Sequence, residues 1–175
     1  MVNVLISLGS SRRVGRFSPA QIVLRAADSV AGLGEGMTLS PLYRSESWPD
    51  ASMPAYVNAV LQMTTLAGPE ELLYSLLAIE AGFSRVRSND AEKRYAPRTL
   101  DLDLLDHGGL ILDSEGLTLP HPRLHERAFV LTPLADVASE WRHPVLGKTA
   151  QDMASVMGPS GVSRLPFTGA LPAQA

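Results

Sequence analysis

Hydrophobic and polar positions alternate strictly along residues 100–104: leucines at 100, 102 and 104, carboxylates at Asp101 and Asp103. A period of two is that of a half-buried β-strand, with the leucines in a core and both carboxylates on the opposite face. The same period runs through residues 56–64, where Val57, Ala59, Leu61 and Met63 oppose Asn58, Val60, Gln62 and Thr64. Apolar runs at 3–8 and 37–45 predict two more strands. Pro41 places the second of these at a sheet edge or a bulge.

Spacings of three and four mark the helices. Val23, Ala26, Ala27 and Val30 follow Ser18-Pro19, an N-cap with proline at the first helical position, and Gly32 and Gly34 end the helix. Gly68-Pro69-Glu70-Glu71 opens a second helix, with acidic residues where the helix dipole favours them. Its stripe of Leu72, Leu73, Leu76, Leu77 and Phe83 also takes in Glu80, a carboxylate that must find partners or reach solvent. Residues 106–109, Asp-His-Gly-Gly, read as a turn into a return strand at 110–112, with 117–119 short and extended. Residues 123–127 predict a short helix, Phe129 beyond it faces a pocket or the core, and Thr149 with Asp152 resembles a capping box for a last helix. Strands and helices so mixed, with hairpin-like strand pairs, predict an α+β fold.

Two irregular stretches interrupt the pattern. Residues 46–54 form a polar loop whose Trp48 either caps the core or belongs to a lid over a planar ligand. Residues 84–97 make the longest irregular segment, and its polar run offers little to bury. Arg85 is therefore expected to reach the site late, by loop closure, and Arg98, close to the core strand, to be in place beforehand. Residues 158–175, rich in Gly and Pro, read as a loose tail after a single domain over 1–157.

Composition narrows the field. The 175 residues suit one domain, able to bury roughly 70% of its unfolded surface. A net charge of −3 argues against wholesale binding of nucleic acid or an anionic membrane. With no cysteine, disulfides and thiolate metal sites are excluded. No apolar run approaches the ~18 residues of a membrane helix and no signal-peptide pattern opens the chain, so a cytoplasmic location is expected.

Positive charge is local. Arg85, Arg87, Lys93, Arg94 and Arg98 precede the Asp-x-Asp strand. Carboxylates two apart on a strand lie roughly 6.5–7 Å apart at the backbone and repel unless a cation intervenes or one is protonated. Hard oxygen pairs suit Mg²⁺, usually held by one or two carboxylates plus substrate phosphates. An Asp-x-Asp alone is most often the solvated face of a sheet. Arginines beside it point instead to a polyphosphate substrate.

The stretch Arg94-x-x-Pro97-Arg98-Thr99-Leu100-Asp101-Leu102-Asp103 resembles the signature of the 6-hydroxymethyl-7,8-dihydropterin pyrophosphokinase family. The likeness extends to residues 5–10 and 40–45, Tyr56-Val-Asn58, Glu80, Arg85-Val-Arg87, Pro120-His121 and Arg127-x-Phe129. It implies a ferredoxin-like antiparallel sheet with helices packed on its faces. The implied reaction takes ATP as co-substrate and 6-hydroxymethyl-7,8-dihydropterin to AMP and the pterin diphosphate. Asp101 and Asp103 would hold two Mg²⁺ ions, and Arg85 and Arg98 would be catalytic. Glu80, Arg87, Arg94, Thr118, His121 and Arg127 would bind ATP. Ser45, Trp48, Tyr56, Asn58, Tyr95 and Phe129 would bind the pterin. The partners would be these small molecules, with no nucleic acid, no membrane and a monomeric chain. The family usually has Asn where Ser11 stands, Gln at Leu77, Trp at Tyr95 and an aromatic at Pro122. Two other readings of the residues are a nucleotide-sugar glycosyltransferase using Asp-x-Asp and a non-catalytic interaction module of ferredoxin-like fold.

Overall fold

The computed structural model describes residues 1–47, 52–85, 98–158 and 161–166. Trp48, Arg87, Arg94 and Tyr95, with most of the two irregular stretches, lie outside the described residues.

The elements run β1 (Val2–Ser10), α1 (Pro19–Ala31), β2 (Glu35–Leu39), β3 (Tyr43–Ser45), β4 (Tyr56–Thr65), α2 (Pro69–Gly82), β5 (Asp101–His107), β6 (Leu112–Ser114), β7 (Leu117–Leu119), a 3-10 turn (Leu124–Glu126), α3 (Ala128–Ala138), α4 (Ala150–Met157) and β8 (Val162–Arg164). The main sheet is antiparallel, in the order β5-β1-β4-β3-β8, with β2 also on β4. Two β-α-β crossovers, through α1 and α2, put β1 between β4 and β5, which is the ferredoxin-like arrangement.

Local sequence starts and stops these elements as their chemistry dictates. Ser18 and Gln21 form a capping box on α1, and Thr149 and Asp152 form one on α4. The strand expected over 37–45 is split, because Pro41 has no N–H to give a ladder. Ser40 bridges the break: its N–H donates to Val60 O at 2.9 Å and its Oγ accepts from Val60 N at 3.0 Å. β2 and β3 thus pair with the two halves of β4 as one interrupted edge.

Two other expectations fail on long-range pairing. The stretch after Gly108-Gly109 does not return along β5; β6 instead pairs with β7 in a separate hairpin. Residues 162–164, read as loose tail, form β8 on the outer edge of β3.

Each sheet face has its own core. Ile6 and Leu8 of β1, Leu61 and Met63 of β4, and Leu100, Leu102 and Leu104 pack under α1 and α2. On the other face Leu5, Val60 and Leu105 pack under α3 and α4. That second core covers only part of its face. Beyond it the same face continues along Ser7, Gly9, Asn58, Asp103 and Asp101, polar or bare positions on three adjacent strands. Among the described residues no helix is long and apolar enough to cross a membrane.

Candidate active site

The functional side chains gather where the α3–α4 cover stops. Cross-strand register sets Gly9 opposite Asp101 on one side and Asn58 on the other. A Cβ at Gly9 would lie 3.4 Å from Asn58 Oδ1 and 4.0 Å from Asp101 Cβ, so glycine separates two functional groups by bare backbone.

Each carboxylate has its own cations. Arg85 Nη2 lies 3.0 Å from Asp101 Oδ1, and Arg98 Nη1 donates to Asp101 Oδ2. Arg127 Nη1 and His121 Nε2 lie 3.6 Å and 3.9 Å from Asp103 Oδ2. Burial pushes the Asp103 carboxyl above its usual range and the charge on Asp101 adds to this, while His121, Arg127 and Arg98 pull it back. Burial pushes the His121 imidazole down, against the attraction of Asp103. His121 Nδ1 accepts the Arg123 N–H at 3.2 Å, so the neutral ring carries its proton on Nε2, facing Asp103.

Arg85 was expected to arrive with loop closure. Its guanidinium is already docked: Nη1 donates to Leu100 O at 2.8 Å and the side chain is 10% exposed. This contact belongs to a pattern along the outer edge of β5, which no strand covers among the described residues. Leu102 N–H donates to Glu80 Oε1 at 2.8 Å, and Leu105 O accepts from His121 N at 2.9 Å. Three site-side residues thus satisfy the strand that carries the carboxylates. Glu80, expected on the nucleotide side, is 1% exposed and holds this edge. Its place in the apolar stripe of α2 was legible; its partner, 22 residues on, was not.

The residues expected on the pterin side sit across Gly9. Asn58 is 5% exposed, and its Nδ2 donates to Ser45 Oγ at 2.9 Å. The Ser45 hydroxyl thus fixes the Asn58 amide. Tyr56 begins β4 opposite Ser45, and its ring edge approaches the space above Gly9. Phe129, in the first turn of α3, lies under the Arg127 guanidinium, 5.7 Å from ring centroid to carbon. Thr118 is exposed on the β6–β7 hairpin, and its hydroxyl donates to Asp113 at 3.1 Å.

Sequence reasoning missed Tyr43. Its hydroxyl donates to Asp136 Oδ2 at 2.6 Å and ties β3 to α3 behind Asn58. Burial, then the hydrogen bond and charge of Asp136, push the phenol up to about 12. Tyr43 alternates with Ser45, and that period was its only signal.

The two carboxylates share one face and burial penalises their joint ionisation, which is the condition a divalent cation relieves. Among the described residues no third His, Cys, Asp or Glu closes a cage around them. Asp101 and Asp103 therefore suit an ion that also takes oxygens from a substrate.

Such an open acidic pair within a ring of arginines and histidine, on a ferredoxin-like sheet, is the setting of a transferase of phosphate groups. The profile of the 7,8-dihydro-6-hydroxymethylpterin-pyrophosphokinase (HPPK) family matches residues 5–139. The chain belongs to that family, and with it to the pyrophosphokinases of folate biosynthesis. A 2-amino-4-hydroxy-6-hydroxymethyldihydropteridine pyrophosphokinase of Synechocystis is 38% identical over 138 residues, covering 77% of this chain and 68% of the relative. Its counterpart in Pseudomonas aeruginosa is 38% identical over 165 residues, covering 93% and 96%. The crystal structure of wild-type Plasmodium falciparum HPPK-DHPS superposes with a TM-score of 0.67 at 13% identity, a likeness of fold. It covers 94% of this chain, and this chain spans 47% of that longer one.

Proposed function

We propose that the chain transfers diphosphate from ATP to the hydroxyl of 6-hydroxymethyl-7,8-dihydropterin, releasing AMP. The pterin oxygen forms a bond to the β-phosphorus, the bond from that phosphorus to the α–β bridging oxygen breaks, and the hydroxyl proton leaves. The observation that carries this reading is the division of one sheet face by Gly9: Asn58 and Ser45 on one side, Asp101 with two arginines on the other.

Asp101 and Asp103 would hold Mg²⁺, whose chemistry here is neutralisation of phosphate charge and alignment of the reacting oxygens. Every other task falls to side chains of the chain. Arg85 and Arg98 neutralise charge that develops on the moving phosphoryl group, as donors set in place before reaction. Their forks, now on Asp101, match phosphate oxygens equally well. Arg127 and His121 hold the rest of the triphosphate, joined by Arg87 and Arg94. Asn58, held by Ser45, reads the amide-like edge of the pterin with a donor and an acceptor. Tyr56, Tyr95, Trp48 and Phe129 supply aromatic faces for the ring. Glu80 contributes by holding β5. The unit that acts is residues 1–157, as a cytoplasmic monomer on small molecules, without a nucleic-acid or membrane partner; a net charge of −3 supports the last point.

The deciding experiment is incubation with ATP, Mg²⁺ and the hydroxymethyl dihydropterin. AMP and the pterin diphosphate should form in equal amounts, and neither should form without Mg²⁺. AMP without a phosphorylated pterin would overturn the reading.

A further inference from the structure

Three consecutive residues after Gly9 grip the backbone of Arg98 and Thr99. Ser11 N–H and Arg12 N–H both donate to Arg98 O, at 3.0 and 3.1 Å. Arg98 N–H donates to Ser11 Oγ at 3.1 Å, and Ser10 Oγ donates to Thr99 O at 2.6 Å. Ser10 and Ser11 are 0% and 5% exposed. The β1–β5 ladder ends at the Gly9–Asp101 pair, so these bonds are additional to the sheet. They bind both peptide groups of Arg98, the residue whose guanidinium reaches Asp101.

We propose that Ser11, supported by Ser10, is a positioning residue for Arg98: its hydroxyl fixes the backbone from which that guanidinium is aimed at the transferred phosphate. The physical reason lies in the length of the side chain. Arginine carries about 2 kcal/mol of rotamer entropy, so a head group with a free root has many places to be. Anchoring the root restricts the head to a small arc, and a displacement of about 1 Å at a catalytic group can cost a hundredfold in rate. Of the three bonds above made to the Arg98 backbone, that to Ser11 Oγ is the one that uses a side chain of the gripping segment. Removing it leaves the two bonds to Arg98 O intact, so the fold should survive while the N–H side is released.

The inference rests on Arg98 acting in the transfer, and the test separates the two. The variants are Ser11→Ala, Ser11→Thr, Arg98→Ala and Ser11→Ala with Arg98→Ala, each in the full chain, with kcat, KM for both substrates and a melting curve. Ser11→Ala should lower kcat roughly tenfold, with KM for the pterin within about twofold of the parent. Ser11→Thr keeps the oxygen and should recover most of the rate. In the Arg98→Ala background, Ser11→Ala should cost nothing further, because the group it positions is gone. Fold-losses that multiply in the double variant would overturn the proposal, as would a Ser11→Ala chain that is fully active or fails to fold. Full activity in Arg98→Ala would instead sink the reading of the site.

Discussion

Glu80 Oε1 accepts the backbone N–H of Leu102 at 2.8 Å, placing a 1%-exposed carboxylate on the edge of β5 at the residue that separates its two site aspartates in sequence. Loss of an acceptor there leaves a buried N–H unsatisfied, at a cost of about 1–3 kcal/mol. Glu80→Ala should therefore lower stability by about that amount and also reduce turnover, by loosening the strand. Glu80→Gln keeps a carbonyl oxygen and should lose much less. Denaturant titration with nucleotide calorimetry checks this. A Glu80→Gln chain of normal stability that no longer binds ATP would assign the carboxylate the nucleotide role as well.

Asp101 and Asp103 should differ in stability and agree in activity. Asp101 faces two guanidiniums, one on a side chain only 10% exposed. Asp101→Asn should cost about 1–2 kcal/mol, after allowance for solvent screening. Asp103 carries a charge that burial and Asp101 both oppose, so Asp103→Asn should leave stability unchanged or higher. Either variant should lose most AMP formation. Near-normal turnover by either one, correctly folded, would remove that residue from the metal site.

Asn58→Ala should weaken pterin binding by roughly 1–3 kcal/mol through polar ring groups left unpaired. Ser45→Ala frees the Asn58 amide to rotate and should give a smaller loss of the same kind. ATP binding should be nearly unchanged in both. Calorimetry with each ligand alone distinguishes this from a scaffold role, in which both affinities would fall together.

Tyr43 gives the fold an alkaline limit. Its phenol ionises near 10 in the unfolded chain and at about 12 in the folded one, because burial and Asp136 disfavour the anion. Between those values the folded state binds the extra proton. The stabilisation is complete below pH 10 and is lost as pH rises to 12. Tyr43→Phe should flatten this slope in unfolding free energy measured across the window. An unchanged slope would show that Tyr43 is not its source.

Elements with a strong local period were legible in the sequence. Leu100 to Leu104 alternate, Ser18 caps a helix that opens on Pro19, and the structure shows both. What was not legible depends on pairing across the chain. Gly108-Gly109 looks like a hairpin turn, but Leu112–Ser114 finds Leu117–Leu119 because those strands bury Leu117 and Leu119 in the main core. Val162–Arg164 is three residues long, too short to show a period, and its partner lies some 120 residues earlier, at Tyr43–Ser45 (~3–4 residues are too few for a pattern). The resemblance located the aspartates and arginines. It did not reveal that Arg85 and Glu80 also serve as edge partners for β5, since backbone groups leave no trace in side-chain pattern.

The outer backbones of β5 and of β3 both find partners. On one, Arg85, Glu80 and His121 engage the outer backbone of β5. On the other, β8 covers β3, extended by Leu165 N–H to Leu42 O at 2.8 Å. Bare strand edges invite neighbouring chains to add on, and proteins escape that fate by blocking them. The last described strand, three residues long, thus covers β3 and leaves only a short outer edge of its own. A chain cut after Met157 would keep its carboxylates and arginines and would be expected to clump at high concentration through the reopened flank at Tyr43–Ser45.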